Sequence, residues 1–126
     1  MYFTAGFTVT GGYRAMSRML AHGDPPTAVF AFSDEMAIGA IRAACEHGLC
    51  VPDDLSVAGF DDHDVAWAID LTTVAQPVMG LGGAVTELLL EHLRDPSSPP
   101  MHQIRDVMLK VRGSTGPAPK ADLSRR

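Results

Sequence analysis

Apolar residues recur along this chain in two patterns, one with the period of a helix and one in short unbroken runs. The helical period appears around Tyr13, across residues 36–44 and across residues 78–89, which predicts three amphipathic helices. Two unbroken runs, residues 27–32 (TAVFAF) and residues 55–60 (LSVAGF), have the length and composition of strands that are buried on both faces of a sheet.

The segment 27–60 therefore has the order strand, helix, strand, with Ser33 or Asp34 placed to cap the helix. Two parallel strands joined by a helix have their carboxyl ends at the same edge of the sheet. Ligands bind outside that edge in open parallel sheets. Since polar clusters follow both runs, at residues 33–35 (SDE) and 61–64 (DDHD), we expect the two clusters to share one cleft.

The remaining pattern is less regular. It predicts a short helical turn that carries the only tryptophan, a strand, a helix, a strand whose alternating apolar positions indicate one solvated face or an edge position, and a flexible tail rich in Pro, Ser and charge. In chain order these are residues 65–69, 72–75, 77–93, 103–112 and 113–126.

Composition narrows the class of protein. The chain has 126 residues, of which 46% are hydrophobic and 20% charged, as expected for one globular unit. A net charge of −5 argues against a chain that binds nucleic acid by itself, since phosphate neutralisation needs clustered Lys and Arg. No apolar run approaches the roughly 20 residues of a membrane span, and there is no signal-peptide pattern, so we expect a cytoplasmic protein without membrane contact.

The acidic stretch 61–64 has three interpretations: a metal or catalytic site, a site for ligand hydroxyls, or a solvated loop. No G-x-S-x-G, P-loop or H-E-x-x-H motif is present, so we expect no enzyme activity. The stretch also lacks the alternate spacing of a calcium loop, and we expect neither metal nor cofactor. Simpler roles stay open for the individual residues, namely helix capping for Asp34, an exposed turn for Asp61 and a hydrophobic contact for Trp67.

Three longer segments change this picture. They are "PTAVFAFSDEMAIGAIRAACEHGLCVPDDLSVAGFDD", "LTTVAQPVMGLGGAVTELLLEHL" and "VRGST". Their order is that of the effector-binding region of the lactose-repressor (LacI/GalR) family of bacterial regulators. The chain resembles this region from "YFTAGFTVTGGYRAM" to Thr115. The resemblance implies an α/β fold, a parallel-sheet, three-layer periplasmic-binding-protein-like lobe that is incomplete and has elements of a second lobe.

The resemblance also implies a sugar or nucleoside effector held between two lobes. In that family the position of Asp61 accepts hydrogen bonds from ligand hydroxyls, Ser33 lines the same pocket, and Gln76 lies on a connection between lobes. A carboxylate can accept two charge-assisted bonds from neighbouring hydroxyls, while an aromatic wall packs the sugar face. With Asp34 and Trp67, these residues form the candidate ligand-binding set. Many relatives have Asn at the position of Ser33, so the effector identity does not carry over.

The resemblance predicts how the chain is organised: residues 1–75 are part of the C-terminal effector-binding lobe, residues 76–112 belong to the other lobe or pack back, and residues 113–126 form the tail. It implies a homodimer that reaches operator DNA only through a helix-turn-helix missing from this chain. The alternative is a sugar-binding protein of an ABC transporter, which shares the fold. We expect the apolar stripe of the helix over 77–93 to be left uncovered.

Overall fold

The computed structural model describes residues 3–22, 25–99 and 101–118. Within these residues four helices and four strands follow one another along the chain. They are α1 (Val9–Leu20), β1 (Ala28–Phe30), α2 (Asp34–Glu46), β2 (Ser56–Asp61), α3 (Asp64–Ala68), β3 (Thr72–Ala75), α4 (Val78–Arg94) and β4 (Met108–Lys110).

The strands form one sheet in the order β1-β2-β3-β4. The first two pairings are parallel and the third, between β3 and β4, is antiparallel. This arrangement confirms the predicted α/β fold with a mainly parallel sheet. The register sets Phe30 beside Ala58 and Asp61 beside Ala75, so the three parallel strands end at a common edge, as the strand-helix-strand pattern predicts.

Helices α1 and α2 pack closely because glycines lie at their contact. A Cβ atom on Gly12 would lie 2.0 Å from the carbonyl oxygen of Met36, and one on Gly39 would lie 1.9 Å from that of Val9. The inner side of α2 is lined with alanines, including Ala37 and others that have little or no exposed surface. Small side chains thus bring the two helices and β2 within van der Waals reach, where close packing stabilises the core.

The strands are less buried than the sequence predicts. Strand β1 is shorter than residues 27–32, and Phe30 and Phe32 are 49% and 66% exposed. In β2 burial alternates, with Val57 and Gly59 buried and their neighbours partly exposed. The prediction of strands buried on both faces is therefore wrong for both. Strand β1 is an edge strand whose only partner among the described residues is β2, and β2 packs the face of Val57 and Gly59 against α2 while its other face stays partly exposed.

Helix α4 is largely exposed. Among its residues only Ala84 is buried, while Val85, Leu89 and Leu93 are 57%, 56% and 65% exposed. The expectation of an uncovered apolar stripe is thus met, and the assignment of this helix to another lobe stays a prediction. Although α4 is rich in apolar residues, no helix in the described parts of the chain is both long and apolar enough to span a bilayer.

The C-terminal segment differs from its prediction in two ways. The regular strand is limited to Met108–Lys110, whereas the sequence pattern extends over 103–112. Ser114, expected in the flexible tail, is 5% exposed; its Oγ accepts a hydrogen bond from the Thr72 amide at 2.8 Å and donates one to the Val57 carbonyl at 2.6 Å. The tail therefore does not begin at Gly113, and its residues 119–126 lie outside the described part of the chain.

Candidate functional site

The loop that follows β2 has an unusual backbone. Asp61 and Asp62 have φ angles of 112° and 56°, in the region that side-chain-bearing residues seldom adopt. Each such conformation costs on the order of 1–3 kcal/mol and persists only where surrounding contacts hold it. Residues in sparsely populated conformations concentrate at ligand sites and switch regions, so this loop stands out from the rest of the sheet edge.

Helix α2 holds this loop through Asp34, which has no exposed surface. Its Oδ2 accepts a hydrogen bond from the His63 amide at 2.7 Å, and its Oδ1 accepts one from the Thr73 hydroxyl at 2.6 Å. A Cβ atom on Gly59 would lie 2.3 Å from Asp34 Oδ1, so the absence of a side chain there makes room for the carboxylate over β2. The cap of α2 is Ser33, whose Oγ accepts from the Met36 amide at 3.2 Å.

The C-terminal segment holds the same loop from the other side through Arg112. Its Nη2 lies 2.6 Å from Asp62 Oδ1, and its Nη1 donates to the Leu71 carbonyl at 2.7 Å. The side chains of Arg112 and Asp62 are only 17% and 24% exposed. Since this pair is partly shielded from water, it is held more firmly than a surface ion pair, and it ties the acidic loop to the "VRGST" segment.

Asp61 meets Gln76 at the carboxyl ends of β2 and β3. The Gln76 Nε2 donates to Asp61 Oδ1 at 2.6 Å, and both residues are half-buried. The parallel register, which sets Asp61 beside Ala75, places them next to each other. Among the described residues no donor reaches Asp61 Oδ2, so this carboxylate has hydrogen-bonding capacity to spare.

The five residues of the candidate set thus divide into three groups. Asp61 and Gln76 form a direct pair that faces the sheet edge. Ser33 and Asp34 adjoin the same loop but are 2% and 0% exposed. This differs from the expectation that Asp34 contacts a ligand, since a side chain without exposed surface and with both oxygens bonded presents nothing to a cleft. Trp67 lies on α3 and is 77% exposed.

Sequence reasoning missed three residues of this region. Thr73 lies in a short strand predicted only from its β-forming composition, and its hydroxyl turns out to hold Asp34. Arg112 lies in the "VRGST" segment, for which the resemblance implies no site role. The apolar run predicts a buried strand as far as Phe32, but Phe32 is exposed directly before Ser33. No local signal pairs Arg112 with Asp62, which lies 50 positions earlier in the chain.

A separate cavity of about 250 Å³ lies along the open edge of β1. It is lined by α1, β1 and α2 with mainly apolar side chains, and neither Asp61 nor Gln76 contributes to it. Apolar walls offer few partners to hydroxyl groups. The polar site at the end of β2 and this cavity are therefore distinct features. The lining includes Met16, Met19, Val29, Phe30, Phe32 and Met36.

The chemistry of the polar site is that of hydrogen-bond acceptance. In residues 3–22, 25–99 and 101–118 no group of three or more His, Cys, Asp or Glu side chains converges to hold a metal ion. The acids of the loop have other partners, with Asp62 paired to Arg112 and Asp61 to Gln76. A half-buried carboxylate with a free oxygen beside an amide suits a neutral ligand with adjacent hydroxyls.

The chain matches known proteins along nearly its whole length. Residues 1–115 fit the family model described as "Periplasmic binding protein-like domain". The HTH-type transcriptional repressor CytR of Escherichia coli strain K12 is 42% identical over 115 residues, which cover 90% of this chain and 34% of that repressor. The chain thus spans about a third of the length of this curated relative.

Solved structures give the same picture. A LacI family transcriptional regulator from Enterococcus faecalis V583 with bound ribose is 37% identical with a TM-score of 0.80, and the match covers 91% of this chain and 43% of that one. The lac repressor dimer bound to operator and the anti-inducer ONPF is 35% identical with a TM-score of 0.79, covering 88% and 39%. This chain therefore belongs to the periplasmic-binding-protein-like domains, in the form found in LacI-type transcriptional regulators.

Proposed function

We propose that this chain is the ligand-sensing portion of a LacI-type regulator and that Asp61 and Gln76 bind a sugar or similar polyhydroxy effector. The observation that carries the proposal is the Asp61 carboxylate, which is bonded to Gln76 through one oxygen and has no donor on the other among the described residues. The bound ribose in the regulator from Enterococcus faecalis supports a ligand of this class.

The physical argument concerns preorganisation. Gln76 fixes the direction of the Asp61 carboxylate before any ligand arrives, and no donor among the described residues reaches its second oxygen. A ligand hydroxyl that donates to this oxygen forms a charge-assisted bond worth about 1.5–3 kcal/mol. Because the acceptor is already oriented, little of that free energy is lost to ordering the side chain.

The other candidate residues take supporting roles in this proposal. Trp67, exposed on α3 directly after the acidic loop, supplies an aromatic face against which a sugar ring can pack. Ser33 and Asp34 are buried, so they shape the wall beneath the ligand and make no contact with it.

The proposal extends to the whole regulator. Effector binding shifts one lobe against another and thereby changes operator binding through a helix-turn-helix outside this stretch, in a cytoplasmic homodimer. The lac repressor dimer on its operator supports this assembly, and the exposed stripe of α4 offers apolar surface for contact with another lobe or subunit. The regulators among the relatives favour this function over that of a transporter's sugar-binding protein.

Thermal-shift measurements with ribose, cellobiose and nucleosides test the ligand class. We expect at least one of these compounds to raise the melting temperature and Asp61→Asn to weaken its binding about 10- to 100-fold, since the variant loses one charge-assisted bond. Asp53→Asn is the matched control, because Asp53 is an exposed acid in the turn before β2, at the opposite edge of the sheet. Equal responses of Asp61→Asn and the unmodified chain would refute the assignment, as would a panel without any stabilising compound.

A further inference from the structure

We infer that Asp34 is a positioning residue, which acts through the His63 amide and the Thr73 hydroxyl to hold Asp61 in its ligand-ready conformation. This inference rests on the proposed role of Asp61 as a ligand contact. It gives the buried acid of "SDE" a function that differs from ligand binding and that depends on contacts from three separate segments of the chain.

The first step is the connection from Asp34 to the loop. Its Oδ2 accepts from the amide of His63, which lies two residues after Asp61, at 2.7 Å. The side chain of Asp34 has no exposed surface, so water cannot replace this bond without a rearrangement of the core. A displacement of the carboxylate would therefore release the His63 amide and, with it, the end of the strained loop.

The second step is the connection from β3. The Thr73 hydroxyl donates to Asp34 Oδ1 at 2.6 Å, and its own oxygen, Thr73 Oγ1, accepts a hydrogen bond from the Asp62 amide at 3.4 Å. Thr73 thus orients the carboxylate and also contacts the backbone of the second strained residue. Because the hydroxyl donates in one of these bonds and accepts in the other, the two bonds polarise and so strengthen each other.

The third step concerns the need for this clamp, by which we mean the bonds from Asp34 to the His63 amide and from Thr73 to Asp34. Asp61 and Asp62 both have positive φ angles, which an unrestrained aspartate leaves readily. Gln76 and Arg112 bond only the side chains of Asp61 and Asp62, and the register with β3 reaches no further than Asp61. The backbone amides beyond that point, those of Asp62 and His63, are held by Thr73 and Asp34. If the backbone relaxed, the Asp61 carboxylate would turn away from Gln76, although neither Asp34 nor Thr73 forms a hydrogen bond with either of these side chains. Loss of the Gln76–Asp61 bond on substitution of Asp34 or Thr73 would therefore distinguish a positioning role from a role in stability alone.

The test is nuclear magnetic resonance of the full chain, labelled with ¹⁵N, without ligand. The side-chain amide resonance of Gln76 reports its bond to Asp61, and hydrogen exchange of the His63 amide reports the clamp. We expect Thr73→Val and Asp34→Asn to speed His63 exchange at least about tenfold and to move the Gln76 resonance to the position of a free amide. Thr73→Ser keeps the hydroxyl and should preserve both signals.

His63→Ala is the matched control, since it removes an exposed side chain and keeps the backbone donor. The amide of Ala31, which donates to the Ala58 carbonyl at 2.8 Å, serves as an internal reference for the pairing of the β1 segment with β2. An unchanged Gln76 resonance in Thr73→Val or Asp34→Asn, despite a released His63 amide, would overturn the inference. If Thr73→Val does not fold, Asp34→Asn decides by the same readout, because it preserves the volume of the side chain. Since no ligand is used, a failure of the ligand panel does not affect this result.

Discussion

Gly59→Ala tests directly whether the Asp34 carboxylate occupies the space above β2, because the added methyl group would meet that carboxylate. The new Cβ atom would lie 2.3 Å from Asp34 Oδ1 and 3.3 Å from Asp34 Cα. The carboxylate cannot swing aside cheaply, because it is fully buried and both oxygens accept hydrogen bonds. Overpacking costs about 1–3 kcal/mol, and a lost bond to a charged group costs about 1.5–3 kcal/mol. We expect the free energy of unfolding to fall by about 3–5 kcal/mol.

Urea unfolding followed by circular dichroism measures this change. If the slope of the free energy of unfolding against urea concentration is unaltered, the substitution has changed stability and not the surface exposed on unfolding. Gly82→Ala is the control, because a Cβ atom there would meet nothing within 4 Å and α4 gains helix propensity. We expect no loss of stability from the control. A stability of Gly59→Ala within about 0.5 kcal/mol of the unmodified chain would show that Asp34 does not occupy the space above β2.

Two further predictions concern contacts away from the ligand site. Ser114→Ala leaves the Thr72 amide and the Val57 carbonyl without their partner, so the free energy of unfolding should fall by about 2–4 kcal/mol. The exposed control Ser97→Ala should change it little. Equal free energies of unfolding for Ser114→Ala and the unmodified chain, measured in urea, would contradict this prediction. The hydrogen bond between Tyr13 and Glu46 raises the pKa of Tyr13 and, together with Arg42, lowers that of Glu46, so its stabilisation is present between the ordinary pKa values of the two groups. The difference in free energy of unfolding between Tyr13→Phe and the unmodified chain should therefore vanish as pH falls through the lowered pKa of Glu46 or rises through the raised pKa of Tyr13. A difference that does not depend on pH would contradict this role of the Tyr13–Glu46 hydrogen bond.

The parts of the fold that the sequence predicts well are those set by local pattern. They include the helical period of α2, its N-cap, which the sequence narrows to Ser33 or Asp34, and the span of β3. Each of these features depends on neighbours within a few positions. The common edge of the parallel strands follows from the handedness of a strand-helix-strand connection. Together these rules bring the two polar clusters to one end of the sheet without knowledge of any distant contact.

The parts that could not be predicted depend on partners far along the chain. Ser114 is buried because it bonds Thr72 and Val57, which lie 42 and 57 positions earlier, and nothing in the composition of its segment indicates that pairing. The exposure of Phe30 has a similar cause, since burial of a β1 face depends on which elements adjoin the strand. A local pattern describes what a segment can become, but its long-range partners decide its burial.

An aspartate follows each of the first two strands, Asp34 after β1 and Asp61 at the end of β2, but their surroundings differ. Asp34 has no exposed surface and uses both oxygens within the protein, so its charge can only organise what surrounds it. Asp61 is half-buried, bonds Gln76 through one oxygen and has no donor on the other among the described residues. A ligand-binding carboxylate must be oriented without being saturated, and a flexible loop alone cannot meet both conditions. In the proposed site, Asp34 would supply the orientation and leave Asp61 free to bind a ligand.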